Sequence, residues 1–156
     1  MMQVLLIGYG NPLREDDGIG WAAATALSQP EHAVEGVTLI TETMHQLLPE
    51  LADPISQADL VVFVDAAVSG EPGDIQSEAI RPFPSPPGAF SHHVGPAGLL
   101  EMARDLYGRF PPAYLFTITV ANLGYGENLS PTVTAVLPEL LHQIKTVIQT
   151  AAESGA

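Results

Sequence analysis

The chain has 156 residues, 46% of them hydrophobic, with 18 acidic residues against 5 Lys and Arg and no cysteine. That length fits one domain over residues 1–156 and is enough to bury roughly two thirds of the unfolded surface in one core. The charged share of 15% lies below the roughly 25% usual for soluble domains, so the chain is too apolar for disorder. A net charge of −13 argues against a nucleic-acid partner and against an anionic membrane surface, both of which need a basic face. Without cysteine there is no disulfide, no thiolate zinc site and no Cys nucleophile. No basic leader precedes the first apolar run, and no run approaches the roughly 20 residues of a membrane helix. The expectation is a soluble, cytoplasmic protein.

In chain order, residues 4–7 form a continuous apolar run bounded by glycine and predict a fully buried strand. A loop over 8–17 leads to a helix over about 18–27, with Ile19, Ala22, Ala23, Ala26 and Leu27 on one face. Residues 37–41 predict a second strand, and 44–52 a short helix (Leu47, Leu48, Leu51) with Pro54 just beyond it. Residues 60–64 predict the central strand, ended by Asp65, and 74–80 an edge strand. Four prolines within 81–88 require a loop. A helix follows, with Leu99, Met102, Ala103, Leu106 and Tyr107 at helical spacing and Gly108 closing it. Residues 114–120 predict another strand. The last helix has Ser130 as N-cap and Pro131 at its first position, and Pro138 inside it should kink it. This β-α-β-α order predicts an α/β fold with a mostly parallel sheet covered on both faces.

Ligands of such sheets bind beyond the carboxyl ends of the strands, and three polar clusters fall there. They are the loop from Gly8 to Gly20, then Asp65, then Ser91-His92-His93. The first has the Gly8-x-Gly10 of a dinucleotide loop, but Leu13 stands where a third glycine is needed. Glu15, Asp16 and Asp17 would also repel a pyrophosphate. Asp16 or Asp17 has the ordinary reading of a helix cap, although one cap needs only one carboxylate. Asp65, at the end of a buried strand, must be solvated, paired or bound to a metal. His92 and His93 are adjacent, so at most one points into a shared site. His32, His45 and His142 have no comparable context and are read as structural or surface residues. Two carboxylates and one imidazole would make an N/O site suited to a borderline divalent ion such as nickel or zinc.

The pattern Gly8-x-Gly10-Asn11-x-Leu13-x-x-Asp16-Asp17-Gly18-x-Gly20 resembles that of the hydrogenase maturation proteases. The resemblance continues through His45-Gln46-Leu47, Pro49-Glu50-Leu51, Phe63-Val64-Asp65-Ala66, Ser91-His92-His93 and Asn128-Leu129-Ser130-Pro131-Thr132-Val133, over roughly residues 4–148. It departs where many relatives carry Gly-Gly-Thr, since this chain has Thr41-Glu42-Thr43-Met44-His45. The resemblance implies a three-layer α/β/α sandwich. It also implies an endopeptidase that removes the C-terminal extension of the [NiFe] hydrogenase large-subunit precursor. By motif position, Asp17, Asp65 and His93 would bind a divalent metal, the nickel contributed by the precursor, and would be the catalytic residues. His45 to Leu51 looks most like members serving cytoplasmic bidirectional hydrogenases. The implied partner is the precursor alone, with the chain acting as a monomer. The competing reading is a non-catalytic nickel-binding chaperone that checks the large subunit.

Overall fold

A continuous apolar run has side chains for two cores at once, because successive residues of a strand point to opposite faces. In β1 (Met2–Tyr9), Val4 and Leu6 face one side of the sheet while Leu5 and Ile7 face the other. The computed structural model describes residues 1–84 and 94–154. It contains β1, α1 (Ile19–Leu27), β2 (Val37–Met44), α2 (Ala52–Gln57), β3 (Leu60–Ala67), β4 (Ile75–Ile80), α3 (Pro96–Tyr107), β5 (Ala113–Thr119) and α4 (Pro131–Ser154). The strands form one five-stranded sheet in the order β2-β1-β3-β5-β4. All pairings are parallel except that of the edge strand β4 with β5.

Helices cover both faces. Val62, Val64 and Phe116 pack with Ile19, Leu140 and Ile144 of α1 and α4. Val61 and Phe63 pack on the opposite face with Ile55, Leu99 and Leu100 of α2 and α3. This is the expected three-layer α/β/α sandwich with a mostly parallel sheet. No helix among the described residues is long and apolar enough to cross a membrane.

Several boundaries differ from expectation. β2 runs on to Met44, so the helix expected over 44–52 is a 3-10 turn (Pro49–Leu51) followed by α2. Pro54 lies inside α2 rather than beyond it; in a first turn the amide that proline lacks has no helical partner to lose. Asp65 is within β3 rather than at its end, paired in register with Thr117. The other expectations match closely. Gly108 ends α3 in the left-handed conformation (φ 73°), and Ser130 caps α4 by accepting the Val133 amide at 3.2 Å. α4 continues through Pro138. Of the proline loop, residues 81–84 have no regular structure, and the rest lies outside the described residues.

The first helix sits against the sheet by backbone contact. A Cβ at Gly8 would lie 2.1 Å from the Gly20 carbonyl oxygen, and one at Gly20 would lie 2.6 Å from that of Val64. These glycines admit backbone to backbone, where any side chain would wedge α1 off β1 and β3. Between them, a 3-10 turn (Glu15–Gly18) buries Asp16 completely. Neither acid of the pair caps this turn or α1. Instead, Asp16 accepts the amides of Ala121 (2.8 Å), Asn122 (2.9 Å) and Ser130 (2.7 Å) and the Ser130 hydroxyl (2.8 Å). Burial pushes the Asp16 carboxyl up, but these donors outweigh it and hold the group below its ordinary range.

Two outcomes follow. Gly8→Ala should destabilise the fold strongly, because the obstructing atom is backbone, and a denaturant titration with an unchanged midpoint would contradict this contact. Asp16→Ala, which leaves buried donors unmet, should cost about 3 kcal/mol or more. That stabilisation is fully present above about pH 4, the unfolded value, and is lost as pH falls through the lowered folded value. Equal acid sensitivity of wild type and Asp16→Ala would count against the assignment.

Candidate functional site

Beyond the carboxyl ends of β1, β2 and β3, on the face covered by α2 and α3, lies a cleft of about 250 Å³. Its lining includes Tyr9, Gly10, Asp17, His45, Asp65 and Gly95. Asp17 comes from the first loop, Asp65 from β3 and Tyr9 from the end of β1. The two carboxylates singled out in the sequence therefore meet in one cleft, although they are far apart along the chain. Ser91, His92 and His93 lie outside the described residues.

The first loop is built to present Asp17. Its Oδ2 accepts the Asn11 amide at 2.7 Å, closing the loop on itself. The Asn11 side chain in turn accepts the Leu13 amide at 2.9 Å, a local turn that asparagine favours. Gly10 has φ 134°, and a Cβ there would lie 2.2 Å from the Asp17 carbonyl oxygen, so this position requires glycine. The motif that looks like half of a dinucleotide fingerprint is thus a packing device.

Asp65 is held differently. Its Oδ1 accepts the amide of Ala66 at 2.8 Å, and the Tyr9 side chain lines the cleft with it. Burial pushes the Asp65 carboxyl up to about 6; the Ala66 amide and Tyr9 hydroxyl pull it down, and the nearby Asp17 charge pushes it up again. Burial, together with the Asp65 charge, also raises the Tyr9 phenol, which stays protonated and able to donate. No Lys or Arg among the described residues lines this cleft.

His45, read from sequence as structural or surface, lines the cleft. The expected helix over 44–52 obscured it; with β2 extended to Met44, it follows directly on a strand end, where ligands of such sheets bind. Trp21 fixes this corner. Its indole N–H donates to the carbonyls of Gly10 (2.9 Å) and Met44 (3.2 Å), and its ring meets His45 edge-on with centroids 5.9 Å apart. Sequence reasoning missed Tyr9 and Trp21 as well, and their only signal was position beside the glycine motif.

Among the described residues, no group of three His, Asp or Glu side chains is close enough to hold a metal ion. Two facing carboxylates, one of them forced toward neutrality, still form a site that a cation would relieve. Because the folded state favours protonated Asp65, its charge opposes folding above about pH 6, and the penalty vanishes below about pH 4. Asp65→Asn should therefore be more stable than wild type at pH 7, by about 1–2 kcal/mol after allowance for partial exposure, and equally stable at pH 4. A variant less stable than wild type at pH 7 would refute this electrostatic reading.

No protein-family model matches the chain, and no curated protein matches it significantly in sequence. Solved structures do. The hydrogenase maturating endopeptidase HybD from E. coli is 26% identical, with a TM-score of 0.70 over 99% of this chain and 94% of that one. An endopeptidase from Escherichia coli known in solution is also 26% identical, with a TM-score of 0.68 over 99% of this chain and 95% of that one. The [NiFe] hydrogenase maturation protease HycI from Thermococcus kodakarensis KOD1 shares the fold at 23% identity, with a TM-score of 0.71 over 95% of this chain and 93% of that one. The fold is matched over nearly the full length of both chains, and the chain is similar in structure to the hydrogenase maturation endopeptidases.

Proposed function

We propose that this protein is an endopeptidase that removes the C-terminal extension of the nickel-loaded [NiFe] hydrogenase large-subunit precursor. It would act in the cytoplasm as a monomer, on the precursor of a bidirectional enzyme. The observation that carries this reading is the convergence of Asp17 and Asp65 on one open cleft without a Lys or Arg in its lining. A cleft of that kind is suited to a cation brought by the substrate. His93, by its motif position, would supply the imidazole that completes an N/O set, and such a set accepts nickel.

In this reading Asp17 and Asp65 dock the precursor's nickel and so hold the adjoining peptide bond at the cleft. The Asn11 and Ala66 amides keep the two carboxylates oriented before substrate arrives, which limits the ordering required on binding. Water then attacks the carbonyl carbon, the C–N bond breaks, and the departing amine takes a proton. Either a carboxylate accepts the water's proton, or the precursor's own nickel polarises the carbonyl.

Asp17→Asn, Asp65→Asn and His93→Ala should each abolish processing while leaving the protein folded. The check is the shift from precursor to mature large subunit on a gel after mixing purified components, and wild-type rates in any variant would remove that residue from the site. Nickel-free precursor should remain uncut in the same assay, and its efficient cleavage would refute docking through nickel. Binding of loaded precursor without any cleavage by the wild-type protein would instead establish a nickel-checking chaperone.

A further inference from the structure

At the opposite, amino end of the strands, where α1 ends and β2 begins, a second cleft of about 220 Å³ opens beside α4. One strand length, about 25 Å, separates it from the carboxylate cleft. Its apolar wall is formed by Leu27, Val34, Val37, Leu39 and Ile148, which belong to or pack against the core between the sheet and the α1–α4 layer. Lys145, His32, Ser28 and Gln29 are its polar lining, with Lys145 Nζ 3.5 Å from His32 Nδ1.

Lys145 is the sole lysine of the chain, in a sequence with 18 acidic residues. The ion pairs among the described residues are Arg104–Glu101 and Arg109–Asp59, so none of these acids lies within 4 Å of it. Lys145 is half-buried, one helical turn from the buried Leu141 and Ile148, so its ammonium stands at the edge of an apolar wall. An ammonium has three donors and no acceptor, and the long His32 contact engages at most one of them. No carboxylate among the described residues pairs with this charge. An anion would fill that deficit.

We propose that this cleft binds a short aliphatic carboxylate, whose head pairs with Lys145 and whose chain lies along the apolar wall. The cavity equals about seven water volumes, which fits an acid of about four to six carbons. The apolar wall disfavours inorganic phosphate or sulfate, because their hydration would be lost over most of the surface. This site stands apart from the proposed peptidase chemistry, and either can fail alone.

The test uses the full-length protein and hexanoate, followed by amide NMR. Hexanoate should shift, saturably, the resonances of Leu27, Val37 and the Lys145 turn, leaving those of Asp17 and Asp65 in place. Hexanol should bind at least tenfold more weakly. Lys145→Gln should lose at least tenfold in affinity, while Lys145→Arg, which keeps the charge, should lose less; thermal melts verify that both remain folded. Equal binding of hexanol, or unchanged affinity in Lys145→Gln, would overturn the proposal. So would binding of a short peptide with a free C-terminal carboxylate in place of hexanoate, since the ligand would then be a chain end.

Discussion

The carboxylate of Asp16 joins parts of the chain that are remote in sequence, and the geometry of the candidate site depends on that junction. Four donors from the β5–α4 connection and the cap of α4 converge on it. Its neighbour Asp17 is thereby turned the other way, toward Asn11 and the cleft. Adjacent acids in a tight turn cannot share a direction, so satisfying one inside the protein leaves the next to face outward. The Gly8–Gly20 backbone contact sets the depth at which this happens, because it brings the turn down onto the strand ends.

The two cleft acids are stabilised unequally. Asp17 is embraced by its own loop, whereas Asp65 is presented by a rigid central strand into surroundings that disfavour its charge. A fold selected for stability alone would not place an ionisable group at that register, between Val64 and Ala66. Such local frustration is typical of sites where a protein's purpose overrides its packing. The Tyr9 hydroxyl and the Ala66 amide offset part of the cost and leave the carboxylate available to a cation.

Much of this was legible in the sequence. The buried strand pair, the α3 and α4 caps and the edge position of β4 follow from apolar runs, Gly108, Ser130-Pro131 and loose alternation. Asp65 was legible as a charge closing an apolar run, and Asp17 was distinguished from Asp16 by the resemblance to the maturation proteases. The role of Asp16 was not, since its three partner residues lie more than a hundred positions away and no local pattern encodes them. His45 was concealed by Leu47, Leu48 and Leu51, whose spacing mimics one helix although Leu47 enters the core from a loop and Leu51 from a 3-10 turn. Pro54 misled in the same way, because a first-turn proline and a helix-ending proline look alike until the helix start is known.

Trp21 is the only tryptophan of the chain. Its indole N–H bridges the first loop to the end of β2, and its ring adjoins His45 at the cleft. The protein's tryptophan fluorescence therefore originates from a single point at the rim of the candidate site. Emission wavelength and quenching by the adjacent imidazole register how that rim is packed, without any label. Nature has in effect installed an optical probe where a docking substrate would first be felt.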